Sequence, residues 1–228
     1  MSFVIGSSAK DGIKTFLVDA HQTLQSRSEL RGGTGGAAEC VRFNHNGQVL
    51  VGAGTSGVIT LWHTNGTVLG ELSRKQDTGK TIKALSFSSG SRYLATGGVD
   101  TVVKVWDLKR REVIRSFKSH HAGIECVQFS KDADKYVASG DHSGTICLSN
   151  VLTGRLASTL RDDQVSSTGG VQSVSFSPHH RTRLASSYEN GSIRIWDIGT
   201  STLTTTFEHA HGATATSVCF ASSSSSSS

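Results

Sequence analysis

The chain has 228 residues, enough for one β-rich domain without room for a second large one. Its apolar fraction is 36%, with 25 Gly and one Pro. That composition suits many short strands joined by tight turns and argues against long helices. The net charge of +5 and the pI near 9.2 permit an acidic partner without demanding nucleic acid, which is not expected.

No apolar run approaches the roughly 20 residues that span a bilayer, and Phe3–Ile5 is too short for a signal-peptide core. A cytosolic or nuclear chain with no membrane partner is expected.

Taken in order, residues 3–26 read as an incomplete unit of short strands. Phe3–Ser7, Ile13–Val18 and Thr23–Ser26 stand as second, third and fourth strands, with the first missing. Gly32, Gly33, Thr34, Gly35 and Gly36 form a connection expected to be mobile. Residues 38–72 make a full unit.

The next, 82–117, is the clearest. Ile82–Phe87, Tyr93–Thr96, Val102–Asp107 and Val113–Phe117 are apolar or alternating, separated by Gly, Ser, Asp or charged residues. Residues 123–160 and 171–207 repeat the pattern, with a longer connector, Arg161–Gly170, between them. Residues 215–220 supply a first strand only. The tail, 221–228, is seven serines after Ala221 and is expected to be disordered.

The repeat is metrical. Phe43, Phe87, Phe129, Phe176 and Phe220 close the first strands at spacings of 44, 42, 47 and 44 residues. Trp62, Trp106, Ser149 and Trp196 follow the first four by 19 or 20 residues. A period of about 40–45 residues with four strands per unit is the signature of WD40 propeller blades, and Trp106-Asp107 and Trp196-Asp197 are the Trp-Asp dipeptide itself.

The expected fold is therefore all-β: a WD40 β-propeller over residues 1–220, with four complete four-stranded blades and a partial blade shared by the two termini. Closure at five blades and a seven-bladed propeller cut short both remain open; the serine run favours truncation. Either Phe16 or Val18 stands at the Trp position of the first unit.

In WD40 blades a Ser or Thr, an Asp, the Trp and a loop His form a buried hydrogen-bond network. Blade three, residues 82–117, offers Thr96, Asp100 and Trp106. Blade five, residues 171–207, offers Ser186, Asn190 and Trp196. Neither has a loop His. Blade four, residues 123–160, has His120 or His121 and Ser139, and is read as lacking both the Trp and the Asp. Modest stability is expected from networks with gaps.

Sites of chemistry are weak. Thr78-Gly79-Lys80-Thr81 resembles the tail of a phosphate-binding loop, but Arg74 stands where another Gly is needed and a strand follows in place of a helix. The pairs His120-His121 and His179-His180, and His209 with His211, lie in loops without Cys or acidic partners at zinc spacing. Cys40 and Cys126 share a slot that wants a small side chain, filled elsewhere by Ala84, Ser173 and Ser217. No cofactor, metal or catalytic set is expected, and the chain is read as a non-enzyme.

The rims say more. Turns between strands one and two and between three and four emerge together, carrying an excess of Lys and Arg. Lys109, Arg110, Arg111, Arg181 and Arg183 are the candidate docking residues for an acidic partner protein.

A narrower likeness rests on the combination YLATGGVDTVVKVWDLKRREVIRSFKSHHAGIECVQF, the Trp-less YVASGDHSGTICLSNVLTG, SSYENGSIRIWD and HAHGATATSVCF, in that order. The chain resembles the WD40 family that targets the gamma-tubulin ring complex to centrosomes and spindles. The resemblance implies a seven-bladed propeller that directs localisation and a helical region that binds gamma-tubulin. No such helical stretch is read in this sequence, so direct gamma-tubulin binding is not carried to any residue here. The implied partners are ring-complex, centrosome or spindle components. The alternative is a generic WD40 adaptor, a ubiquitin-ligase substrate receptor or an RNA-processing scaffold.

Overall fold

The computed structural model describes residues 3–9, 12–18, 24–30, 36–73, 79–131, 133–162, 169–208 and 210–221; in the first three segments only the side chains of Ile13 and Leu30 are included. The expected serine tail, most of the glycine connection, most of Ser73–Lys80 and the middle of Arg161–Gly170 lie outside those residues.

The described elements are all strands. β1 (Phe3–Ala9), β2 (Gly12–Val18) and β3 (Leu24–Leu30) form a three-stranded antiparallel sheet. Blade two is β4 (Ala38–Phe43), β5 (Val49–Gly54), β6 (Ile59–His63) and β7 (Val68–Leu72). Blade three is β8 (Ile82–Phe87), β9 (Tyr93–Gly98), β10 (Val103–Asp107) and β11 (Glu112–Phe117). Blade four is β12 (Ile124–Phe129), β13 (Tyr136–Asp141), β14 (Ile146–Asn150) and β15 (Arg155–Leu160). Blade five is β16 (Val171–Phe176), β17 (Arg183–Tyr188), β18 (Ile193–Asp197) and β19 (Thr202–Phe207). Each is a four-stranded meander, and β4, β8, β12 and β16 stand side by side in succession.

The first sheet carries a bulge like those of the complete blades. In every complete blade the pairing of third and fourth strands shifts at one place: Leu61/Trp62, Val105/Trp106, Leu148/Ser149 and Ile195/Trp196. In β2–β3 the shift falls at Thr15/Phe16, so Phe16, not Val18, occupies the Trp position. β3 runs on to Leu30, past the expected end at Ser26. Leu30 pairs with Ile13 and both are buried, as Leu72 and Ile59 are in blade two.

One expectation differs. Among the described residues the C-terminal segment does not complete the first sheet, which has three strands. Residues 214–221 carry no assigned strand. Ala215 is instead buried beside blade five, its N–H donating to the Tyr188 carbonyl at 3.2 Å. That is the place that Ile124 and Val171 take on blades three and four, so local packing on the preceding blade wins over pairing with the far end of the chain.

A β-sheet has two faces, and here each inner flank is covered by the next blade. The core is a set of seams. Ala95, Val103, Val105 and Phe117 of blade three pack with Ile124, Val127, Phe129 and Val137 of blade four. Ala138, Ile146, Leu148 and Leu160 of blade four pack with Val171, Val174, Leu184 and Trp196 of blade five. Each such side chain, fully buried, stabilises by about 1.5–3 kcal/mol.

Close approach depends on small residues in the second strands. A methyl on Gly97 would strike Ile124, and one on Gly140 would strike Val171 and come within 2.8 Å of Cys126 Sγ. Gly140→Ala should therefore destabilise the chain by about 1–3 kcal/mol, and Val171→Ala in the same background should recover part of the loss. Urea unfolding followed by tryptophan fluorescence would show it, and an unchanged midpoint would count against this packing.

Candidate functional site

Alternation along the second strand puts residues two apart on one face. In β13 this aligns Ser139 with Asp141, and the loop before β12 brings His120 between them. His120 Nδ1 lies 2.7 Å from Asp141 Oδ2, and Nε2 lies 2.7 Å from Ser139 Oγ. The Ser139 hydroxyl donates onward to the Cys147 carbonyl at 3.4 Å. Asp141 also accepts from the backbone N–H groups of Ser143 and Thr145 and from the Ser143 hydroxyl.

Blade four thus has an Asp in its network, Asp141, contrary to the sequence reading, which found that blade without one. The Ser139-x-Asp141 spacing was the signal that could have found it.

The set has the composition of a catalytic triad but not its chemistry. Burial favours the neutral imidazole of His120, but hydrogen bonds to Asp141 and Cys147 outweigh it and raise the pKa to about 9. Burial likewise works against the Asp141 carboxylate, yet His120 and Ser143 hold its pKa below the ordinary value. At neutral pH His120 is an imidazolium donating from both nitrogens. It has no lone pair with which to take a proton from Ser139. Ser139 is itself wholly buried. The arrangement is a clamp between a loop and a strand.

The other blades solve the same problem without a loop His. In blade three the Trp106 indole N–H donates to Thr96 Oγ1 at 3.2 Å. Asp100 stands apart from that pair and takes the Lys104 ammonium at 2.5 Å. In blade five Trp196 donates to Ser186 at 2.8 Å, and Ser186 to the Tyr188 hydroxyl at 3.3 Å. Asn190 accepts from the backbone and hydroxyl of Ser192, holding the turn before β18.

Arg194, at the place of Lys104 in the third strand, is buried over Tyr188 with 4.5 Å from guanidinium to ring. It is ion-paired with Asp162 at 3.0 Å and Glu208 at 3.7 Å. Neither cation was singled out from sequence.

On the basic rim the expected docking residues fall into two patches, because blade four separates blade three from blade five. Arg111 sits at the left-handed position of its turn (φ 58°), where blades two and four have Gly66 and Gly154. Its guanidinium reaches back to blade two and donates to the Leu69 carbonyl at 2.8 Å. Arg110 pairs with Glu112 at 3.4 Å, and Lys109 is exposed. Arg181 lies in the β16–β17 turn and Arg183 opens β17, both exposed.

Asp107, at the dipeptide, is held below the usual carboxylate range, first by the Arg110 backbone N–H, and pairs with Arg92 at 3.3 Å. Among the described residues no group of three or more His, Cys, Asp and Glu is placed to hold a metal. Burial pushes the Cys40 and Cys126 thiols up to about 12, which leaves them inert small hydrophobes.

The repeating bulge, the indole–hydroxyl pair and the blade order agree with a family match: the WD domain, G-beta repeat, covers residues 66–107 and 111–149. The chain carries WD40 repeats. A second match, to the Vps8 beta-propeller, covers residues 133–227.

Among curated relatives it is similar to human Protein NEDD1, 34% identical over 142 residues, which is 62% of this chain and 21% of that one. Bovine Protein NEDD1 is 32% identical over 187 residues, 81% of this chain and 27% of the relative. The rice U3 snoRNP-associated protein-like YAOH is 42% identical over 50 residues, 22% of this chain and 10% of that one. The aligned stretches make up about a fifth to a quarter of the NEDD1 proteins' length. These similarities, with the WD40 repeats, support a protein-interaction scaffold built on a propeller.

Two predictions follow from the clamp. His120 titrates near 9 when folded against an ordinary 6.5, so its stabilisation is whole below about 6.5 and lost as pH rises through 9. The Asp141 contribution is present above its ordinary 3.8 and lost as pH falls through its lowered value. Unfolding free energy should fall by up to about 3 kcal/mol between pH 6.5 and 9, and His120→Gln should flatten that slope. Separately, Ser149 Oγ is buried without a hydrogen-bond partner. Ser149→Ala should match or exceed the parent's stability, by up to about 1 kcal/mol in thermal unfolding.

Proposed function

We propose that this chain is a non-catalytic scaffold of the microtubule-nucleation machinery, whose propeller directs the gamma-tubulin ring complex to centrosome and spindle. The observation that carries the reading is the similarity to Protein NEDD1 through the repeats themselves. Its partners are ring-complex or centrosome and spindle components, and its location is the cytoplasmic cytoskeleton. Gamma-tubulin is not assigned a direct contact, since the resemblance gives that role to a helical region and the described elements here are all strands.

The docking residues on this reading are the basic rim cations. Of these, Lys109, Arg181 and Arg183 are exposed, and Arg110 and Arg111 also contact Glu112 and the backbone of blade two.

A second reading, an adaptor in RNA processing, is favoured by the 42% identity to a U3 snoRNP-associated relative, over a much shorter stretch.

The test is expression of the tagged chain in dividing cells. Enrichment at gamma-tubulin-marked spindle poles and co-precipitation of ring-complex subunits are expected, with loss of both by about fivefold or more after charge reversal at Lys109, Arg181 and Arg183. Nucleolar enrichment with ribonucleoprotein subunits would favour the second reading.

A further inference from the structure

Near its start, each third strand pairs an aliphatic residue with an apolar one at the end of the fourth. The pairs are Ile13–Leu30, Ile59–Leu72, Val103–Phe117, Ile146–Leu160 and Ile193–Phe207. In the first four sheets both members are buried, at 4% exposure or less. In blade five Ile193 is half-buried and Phe207 is 52% exposed. Ile195 is half-buried as well, where Val105 and Leu148 are buried in blades three and four.

The cover on the earlier pairs comes from the blade that follows. Ile59 and Leu72 pack with Leu85 and Phe87 of β8, Leu94 of β9 and Trp106 of β10. Ile146 and Leu160 pack with Val171, Val174 and Phe176 of β16, Leu184 of β17 and Trp196 of β18. First, second and third strands all contribute. On blade five the first-strand seat is filled: Ala215 is buried there, and Val218 and Phe220 are half-buried at the places of Val174 and Phe176. The exposure of Phe207 and Ile193 marks the seat of a second and a third strand.

The sheet β1–β3 has the matching register. Ile5 pairs with Phe16 as Leu94 pairs with Trp106 and Leu184 with Trp196, so Ile5 and Phe16 hold the positions from which a blade covers the one before it. Among the described residues β1 pairs only with β2 and stands at the edge of its sheet.

We infer that two copies of this chain join head to tail. Residues 214–221 of one copy add to the β1 edge of the next, and the β1–β3 sheet of that next copy covers Ile193, Ile195 and Phe207. The contact continues the series of seams already present within the chain. An open strand edge and an uncovered apolar flank meet there, so backbone pairing and apolar burial act together. The two surfaces differ, which makes the contact heterologous and lets copies add in succession. The inference concerns the flanks of the end sheets and does not depend on which partner the basic rim takes.

The register is specific. In blades three to five the residue before the marker Phe lies opposite a small residue of the second strand: Ser86–Ala95, Gln128–Ala138 and Ser175–Ala185. The same alignment puts Cys219 of one copy opposite Gly6 of the next.

The experiment uses the whole chain. In sedimentation velocity the weight-average mass should rise above 24.1 kDa as concentration goes from about 1 to about 100 μM. Phe207→Glu should weaken the association about tenfold or more, and Lys109→Glu, on the rim of blade three, should leave it unchanged. Phe207 is half in solvent, so circular dichroism should report an intact fold for its variant. A second variant reads the register directly. Gly6→Cys, mildly oxidised, should join Cys219 of another copy and give a ladder on a non-reducing gel, which Cys219→Ser in the same chain removes. A mass that stays near 24.1 kDa throughout, equal association of Phe207→Glu, a Gly6→Cys link that closes within one chain, or a ladder that survives Cys219→Ser would each overturn the inference.

Discussion

Everything in this molecule depends on sheets covering one another. A blade has apolar side chains on both faces and no helix to bury them, so each blade is stable only where its neighbour's first strand lies against its second. That contact requires small residues in the second strand, and Gly97 and Gly140 supply them opposite Ile124 and Val171. The constraint is local and repeats along the chain. It explains why Ala215 settles on blade five, where the next first strand belongs, and does not seek the distant sheet of β1–β3.

The polar interior follows from the same geometry. Packing two sheets face to face traps the ends of second and third strands away from water, and trapped polar groups need partners. Blade four answers with His120, Ser139 and Asp141; blade three with Trp106, Thr96 and the Lys104–Asp100 pair; blade five with Trp196, Ser186, Tyr188 and Arg194. These are different chemistries for one task, tying a third strand or a loop to the second strand. The raised pKa of His120 is a result of that task. It makes the set a poor base and a good clamp.

The rim inherits what the seams leave over. Arg111 and Arg115 illustrate the division. Both are long cations on blade three, and both are drawn into neighbours. Arg111 donates to the Leu69 carbonyl of blade two; Arg115 donates to the Val151 and Leu152 carbonyls of blade four, at 2.9 and 3.2 Å. Arg115 thereby straps the one seam whose following blade has Ser149 in place of an indole. Charges committed to struts of this kind are not available to a partner, whereas Lys109, Lys135 and Arg183 remain exposed. A count of rim cations overstates the docking surface for this reason.

The sequence by itself determined the strands, their order and their grouping into blades. Period-two alternation, turn residues and a spacing near 44 between Phe markers are local signals that survive without coordinates. Phe16 shows the limit: two candidates for the Trp position were equal in sequence, and only the bulge at Thr15/Phe16 decided between them. Tertiary structure alone decided which polar groups met. Asp141 was missed as a network member because its partner His120 is 21 residues away in the chain and adjacent only once β13 packs beneath the loop. Strand identity is set by neighbours along the chain; a site is set by neighbours across a seam, and distance in sequence carries no record of them.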